Sequence, residues 1–286
     1  MGRDARFIET GLVLQHVQAL LKDGRGGLGR CEREVKGGLL LLSAHGSILC
    51  GMLTAIALIN KGRLRSHEEI ARCARAIDLQ VRRDVSPAWR FEASVFAARP
   101  DAVLPPRTWK LYVFDEPADL KDTGRYGFHR QEGPDATPVG YVFVGLCDRF
   151  RESWTEVVSH EVIEMLGDPW VNIDVRRRGP SGLELWPREL CDAVQGQNYR
   201  SSPVDGVEVA NFVFPEYFLD GADGPYDFLG MLTAPFSVAP SGYSAITKVG
   251  TDGRVAAENL FGVHYPAWRR QARIASRRDA RYGGLT

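Results

Sequence analysis

The chain has 286 residues, 44% of them hydrophobic and 25% charged, which supplies ample apolar material for a folded core and excludes a chain disordered throughout. Lysine plus arginine equals aspartate plus glutamate at 36 each, so no overall charge draws the molecule to nucleic acid or to an anionic membrane, and neither partner is expected. Five cysteines (Cys31, Cys50, Cys73, Cys147, Cys191) lie far apart with no Cys-x-x-Cys pair; in a chain of this length they read as reduced thiols in a reducing compartment, and a cytoplasmic location is expected.

Residues 1–51 differ from the rest. They hold an amphipathic start (Phe7, Leu12, Val13, His16, Leu20), a break, GRGGLGR (24–30), and the beginning of an apolar run, GLLLLSAHGSILCGMLTAIALI (38–59). That run is the one stretch with the look of a membrane span or an export-signal core. It carries His45, two serines and three glycines between weakly charged flanks, so a membrane role is not expected, and export through it is the alternative to a cytoplasmic location. GRGGLGR lacks the strand-then-helix setting of a phosphate cradle and reads as a linker.

From Met52 onward the pattern is regular. LTAIALIN (53–60) predicts a buried strand. The segment 66–85 predicts an amphipathic helix with Ser66 as N-cap and Glu69 at the capping-box spacing. Three further strands are expected at 92–98, 108–116 and 141–146, with a Gly/Pro/Asp-rich loop at 119–138 that contains His129. A helix follows at about 153–166 and stops at Gly167-Asp168-Pro169, because glycine releases the chain into a left-handed turn and proline forbids continuation. Beyond Pro169 turns predominate, with short strands such as VEVANFVF (207–214). One helix early, strands in the middle and a second helix at the end of the sheet predict an α+β (α/β-like) fold with that helix packed on the sheet. The natural divisions are 1–51, 52–169, 170–268 and a basic tail, 269–286, in which six arginines face one acid and which reads as solvated.

The helix at 153–166 carries the chemistry. His160 and Glu164, four residues apart, share a face distinct from the apolar stripe of Trp154, Val158, Val162 and Met165/Leu166. An imidazole and a carboxylate one turn apart can close on a single cation, and the adjoining Glu161 stands where a general base for metal-bound water is usually found. The alternative is a solvated helix that happens to carry a histidine and two glutamates. Downstream, RELCDAVQGQNY (188–199) places Glu189 and Asp192 25 and 28 residues after Glu164, a distance that suits a third ligand arriving from the next element.

SHEVIEMLGDPWVN (159–172), followed by ELCDAVQG, VANFVFPEYF and LTAPF, resembles a family of uncharacterised bacterial proteins in which a helix of the form S-H-E-[apolar]2-E-[apolar]2-x-D-P precedes a Glu-x-Cys-Asp segment. DVSPAW (84–89) and GFH (127–129) belong to the same pattern. The skeleton H-E-x-x-E-x-x-x-D/N-P with a later E-x-x-D is similar to that of the plant phosphate-induced, exordium-like secreted proteins, and both are similar to zincin metallopeptidases with the second histidine replaced by glutamate. The resemblance spans roughly 52–245; residues 1–51 fall outside it and read as an extension, or as sequence ahead of a natural start at Met52.

The resemblance implies a zincin-like mixed sheet with an active-site helix and an irregular C-terminal subdomain. It makes His160 and Glu164 metal ligands and Glu161 the general base and acid. The third ligand of the metzincin pattern would fall at Trp170, which cannot ligate, so Glu189 is the first choice, with Asp168 and Asp192 as alternates. Met231 is expected as a core methionine, with a Met-turn beneath the metal as the alternative.

The expected cofactor is Zn2+, with Ca2+ or Mn2+ as alternatives because the site is rich in carboxylates. His129 and Tyr243 are candidates, by residue type, for stabilising an oxyanion. The expected function is a zinc-dependent hydrolase, a peptidase acting on peptide or protein substrates. The alternatives are a non-catalytic, metal-stabilised binding or structural protein of the same fold, and a partner- or nucleic-acid-binding protein that uses the arginine-rich tail.

Overall fold

Strand β1 (Thr54–Asn60) lies inside a mixed five-stranded sheet, and Ile56, Ala57, Leu58 and Ile59 are all buried, which is why an unbroken apolar run rather than an alternating one encodes it. Helix α1 (His67–Gln80) follows, closed by the expected capping box: Ser66 Oγ accepts the Glu69 N–H at 3.2 Å and the Glu69 carboxylate accepts the Ser66 N–H at 2.8 Å. Such a cap contributes about 1 kcal/mol. The α-helical ladder ends five residues before the expected Val85, passing through a π-helical turn (Val81–Val85) into the short α2 (Ser86–Trp89); Pro87 has no N–H with which to continue it.

In the computed structural model the described residues are 53–118, 125–179, 182–201, 206–250, 254–267 and 270, all within one compact unit of the chain. The extension 1–51, including GRGGLGR and the apolar run up to Met52, lies outside them, as does the basic tail except Arg270. Among the described residues no helix is long and apolar enough to cross a membrane.

Strands β2 (Ala93–Ala98), β3 (Trp109–Phe114), β4 (Gly127–Glu132) and β5 (Thr137–Phe143) complete the first sheet in the order β2-β1-β3-β5-β4. All pairs are parallel except β4, which runs antiparallel to β5 along the edge, with Gly127 opposite Val142 and His129 opposite Gly140. His129 therefore sits on a strand and not in the loop expected at 119–138. The strand expected at 141–146 begins earlier and stops at Phe143; Val144–Phe150 form helix α3. The Gly145 N–H donates to the Asp115 carbonyl at 2.7 Å, which curls the chain away from the sheet. A short apolar run does not by itself distinguish a buried strand from a buried helix.

Helix α4 (Trp154–Gly167) is buried from Glu156 to its end. Val157, Val158, Val162, Met165 and Leu166 join the cluster between the first sheet and α1, while Ile163 belongs to a second cluster with Trp186, Leu190 and Phe212. A helix covered on all sides is an interior element. The solvated-helix alternative is thereby excluded.

After α4 come β6 (Asp174–Gly179), β7 (Gly182–Pro187), a 3-10 turn (Asp192–Val194), β8 (Asn198–Arg200), β9 (Glu208–Ala210), a second 3-10 turn (Pro215–Phe218), β10 (Tyr243–Gly250) and β11 (Val255–Phe261). This half is more regular than expected, since β11-β10-β7-β6 form an antiparallel four-stranded sheet. Polar ties fix it to α4. Ser159 Oγ donates to Gln80 Oε1 at 2.6 Å and accepts the Ala210 N–H at 3.0 Å, and Gln80 Nε2 donates to the Ala210 carbonyl at 2.7 Å, so α1, α4 and β9 share one buried network. The architecture is α+β, with the histidine-bearing helix packed on a mixed sheet.

Candidate metal centre

Three local devices bring the polar side chains together. The first is the edge strand: β4 passes so close to α4 that a Cβ on Gly127 would stand 2.8 Å from Glu161 Oε1 and 2.9 Å from the Tyr141 carbonyl. Only glycine fits there, and its absent side chain leaves room for Glu161. The second is the end of α4. Arg188 Nε donates to the Gly167 carbonyl at 2.7 Å, capping the helix with a cation, and a Cβ on Gly167 would stand 2.6 Å from Leu190 Cγ. Residues 188–192 are thus drawn against the last turn. The third is Asp168, whose carboxylate accepts the Asn172 and Ile173 N–H groups at 2.9 and 3.1 Å and shapes the turn after the helix.

The result is a cage of two imidazoles and four carboxylates. His160 Nε2 lies 3.1 Å from Glu164 Oε1 and 3.3 Å from Asp192 Oδ1. On the other side of Glu164, His129 Nδ1 lies 3.4 Å from Glu161 Oε2 and 4.0 Å from Glu164 Oε2, and His129 Nε2 lies 4.0 Å from Glu189 Oε2. His129 Nε2 is also 3.1 Å from the main-chain carbonyl of Asp168, an acceptor, so that ring nitrogen carries hydrogen. All six cage residues are buried. The groups His160–Glu164–Asp192 and His129–Glu161–Glu164 each have ligand atoms within 4.8 Å of one another, with Glu164 common to both.

A tetrahedral shell with bonds of about 2.1 Å sets its donor atoms about 3.4 Å apart. The two separations from His160 Nε2 match this spacing, and the triad's one nitrogen and two carboxylate oxygens are donors that zinc accepts.

Compared with family models, curated proteins and solved structures, the chain matches none.

The cage also shows in its proton affinities. Burial raises the Glu164 carboxyl first, the charges of Asp192 and Glu189 add to it, and together they outweigh the opposing His160, pushing the group up to about 8. For His129, burial alone favours the neutral ring, but the hydrogen bond to Glu161 and the charges of Glu189, Glu161 and Glu164 prevail and raise it to about 9. His160 is likewise raised well above its ordinary value against the effect of burial, chiefly by Glu164 and Asp192. Glu164 and the two histidines thus hold protons that a cation could replace. Cys191, beside Asp192, is buried, and burial pushes its thiol well up.

The sequence-predicted residues fall as follows. His160, Glu161 and Glu164 project from α4 into the cage. Asp192 lies against His160, while Glu189 lies beside His129 instead. The Asp168 carboxylate accepts N–H groups of its own turn, and its main-chain carbonyl faces His129. Tyr243 packs on Tyr265 with ring centroids 5.3 Å apart. Met231 is 42% exposed and so is not the core methionine expected; Met165, on α4, is fully buried. His129, singled out in the sequence by residue type alone, has its place in the cage through Gly127: GFH alternates as a strand, with the glycine admitting Glu161 and the histidine two residues on pointing to the same face.

Proposed function

We propose that the protein is a metal-dependent hydrolase, a peptidase, whose zinc is held by His160, Glu164 and Asp192, with Glu161 as general base. The separations of His160 Nε2 from Glu164 and Asp192 carry this reading, and Asp192 takes precedence over Glu189 as third ligand on the same ground. Zinc, when bound, supplies Lewis acidity that polarises a scissile carbonyl and acidifies water. Glu161 is adjacent in sequence to His160 but outside its triad, so its carboxylate accepts the water proton and passes it to the leaving amine. His129, donating from Nδ1 to Glu161 across 3.4 Å, orients that carboxylate. A reactive site must touch solvent, and the cage's contact with water falls mainly on the His160 and Glu161 side chains, 7% and 6% exposed.

The test is turnover of mixed-sequence quenched-fluorescence peptides by zinc-loaded protein. Glu161→Gln is expected to lose about 100-fold or more in turnover while retaining its zinc. Undiminished cleavage by that variant would remove Glu161 from the mechanism.

A second reading, a structural metal that stabilises a binding protein, is favoured by the near-closure of the cage, since structural zinc sites are closed and catalytic ones keep an open position. Its mark is a protein that cleaves no peptide when loaded and unfolds when chelated.

A further inference from the structure

We infer that the cage has a second cation seat, formed by His129 Nδ1, Glu161 and Glu164 Oε2, with Glu164 bridging the two seats, and that filling it shuts the hydrolase off by capturing Glu161. The inference rests on the metal-hydrolase reading of the His160 triad.

Glu164 has two carboxylate oxygens aimed in two directions. Oε1 faces His160 at 3.1 Å, and Oε2 faces His129 at 4.0 Å. A carboxylate so placed can bind one ion through each oxygen, the arrangement of two-metal sites. The donors of the second seat come from two independent elements, His129 from the edge strand and the two glutamates from α4. They are an imidazole and two carboxylates, a mixed set that zinc or manganese accepts.

The orientation of His129 is the further observation. Ligating histidines are usually held by donating their other ring N–H to a carbonyl or carboxylate, which fixes the tautomer. His129 Nε2 is 3.1 Å from the Asp168 main-chain carbonyl, with Glu189 behind it at 4.0 Å. With hydrogen fixed on Nε2, Nδ1 is the nitrogen turned to Glu161 and Glu164. An ion in the second seat would displace any proton on that nitrogen to solvent.

The consequence for function is opposite for the two ions. The first leaves Glu161 free to accept a proton. The second uses Glu161 as a ligand, so the proton acceptor is lost.

The experiment is equilibrium dialysis of the chelator-stripped full chain against rising zinc. Bound zinc is counted by elemental analysis in the wild type, His129→Gln and His160→Ala, and circular dichroism checks that each is folded. The wild type is expected to bind one ion tightly and a second more weakly, and His129→Gln to bind one fewer while keeping the tight one. Wild-type turnover should rise with the first equivalent and fall with the second. Saturation of the wild type at one ion, or equal saturation of wild type and His129→Gln, overturns the second seat and leaves the first standing. Binding of no zinc by the folded wild type overturns the hydrolase reading itself, and the second seat with it. The wild-type count needs no variant, so a misfolded mutant does not shield the inference.

Discussion

Stripping the metal and raising the pH should weaken the protein, and Glu164→Gln should remove much of that weakness. Glu164 is buried against Asp192, Glu189 and Glu161, and its carboxyl takes up a proton at about 8 in the folded chain against an ordinary 4.5. Its folded value is raised, so its contribution to stability is fully present below about pH 4.5 and is lost as pH rises through about 8. At 1.36 kcal/mol for each tenfold change in proton affinity, the ceiling on the loss is about 5 kcal/mol. His129, raised to about 9 from 6.5, acts with the same sign: its contribution is present below 6.5 and fades through 9. The groups share partners, so the losses do not add. Urea unfolding in chelator at pH 5 and pH 8 measures the effect. The metal-free wild type should lose a few kcal/mol between the two pH values, and Glu164→Gln, which keeps the side chain's size and removes its charge, should lose much less. Equal losses in the two proteins would refute the idea of a charged, cation-seeking cage. Zinc should flatten the wild-type profile by replacing the protons.

Two further perturbations probe the scaffold. Gly127→Ala places a Cβ 2.8 Å from Glu161 Oε1 and 2.9 Å from a main-chain carbonyl; about 1–3 kcal/mol should be lost in urea unfolding, together with turnover, because Glu161 must move. Ser159→Ala removes a hydroxyl that serves both Gln80 and Ala210. The buried groups it abandons should reduce stability by about 1–3 kcal/mol, with zinc content unchanged, since Ser159 lies outside the cage.

What the sequence made legible was local. The Ser66/Glu69 box and the apolar run of β1 announce their elements because capping and interior burial leave a mark within a few residues. Strand β4 did not announce itself: GFHRQE is short and half polar, since it lies at an edge, and its partner β5 supplies the pairing. The YVFVGL run changes from strand to helix at Val144 through the hydrogen bond from Gly145 to Asp115, which no periodicity reveals. In the site, the pairing of His160 with Glu164 follows from helical spacing alone. The choice between Glu189 and Asp192 does not, because both stand on one loop. Packing of Leu190 against Gly167 and the 3-10 turn at Asp192–Val194 decide which carboxylate faces His160. The burial of α4 on both sides was likewise hidden, since it needs β9 and the second apolar cluster, both far along the chain.

The most direct measurement is the metal content of the purified full chain by elemental analysis, beside His160→Ala and Asp192→Asn. A metal centre built on the His160 triad requires about one tightly held zinc per chain in the wild type and its loss in both variants, with the fold retained. A folded wild type that carries no metal and takes up none from excess zinc would contradict it.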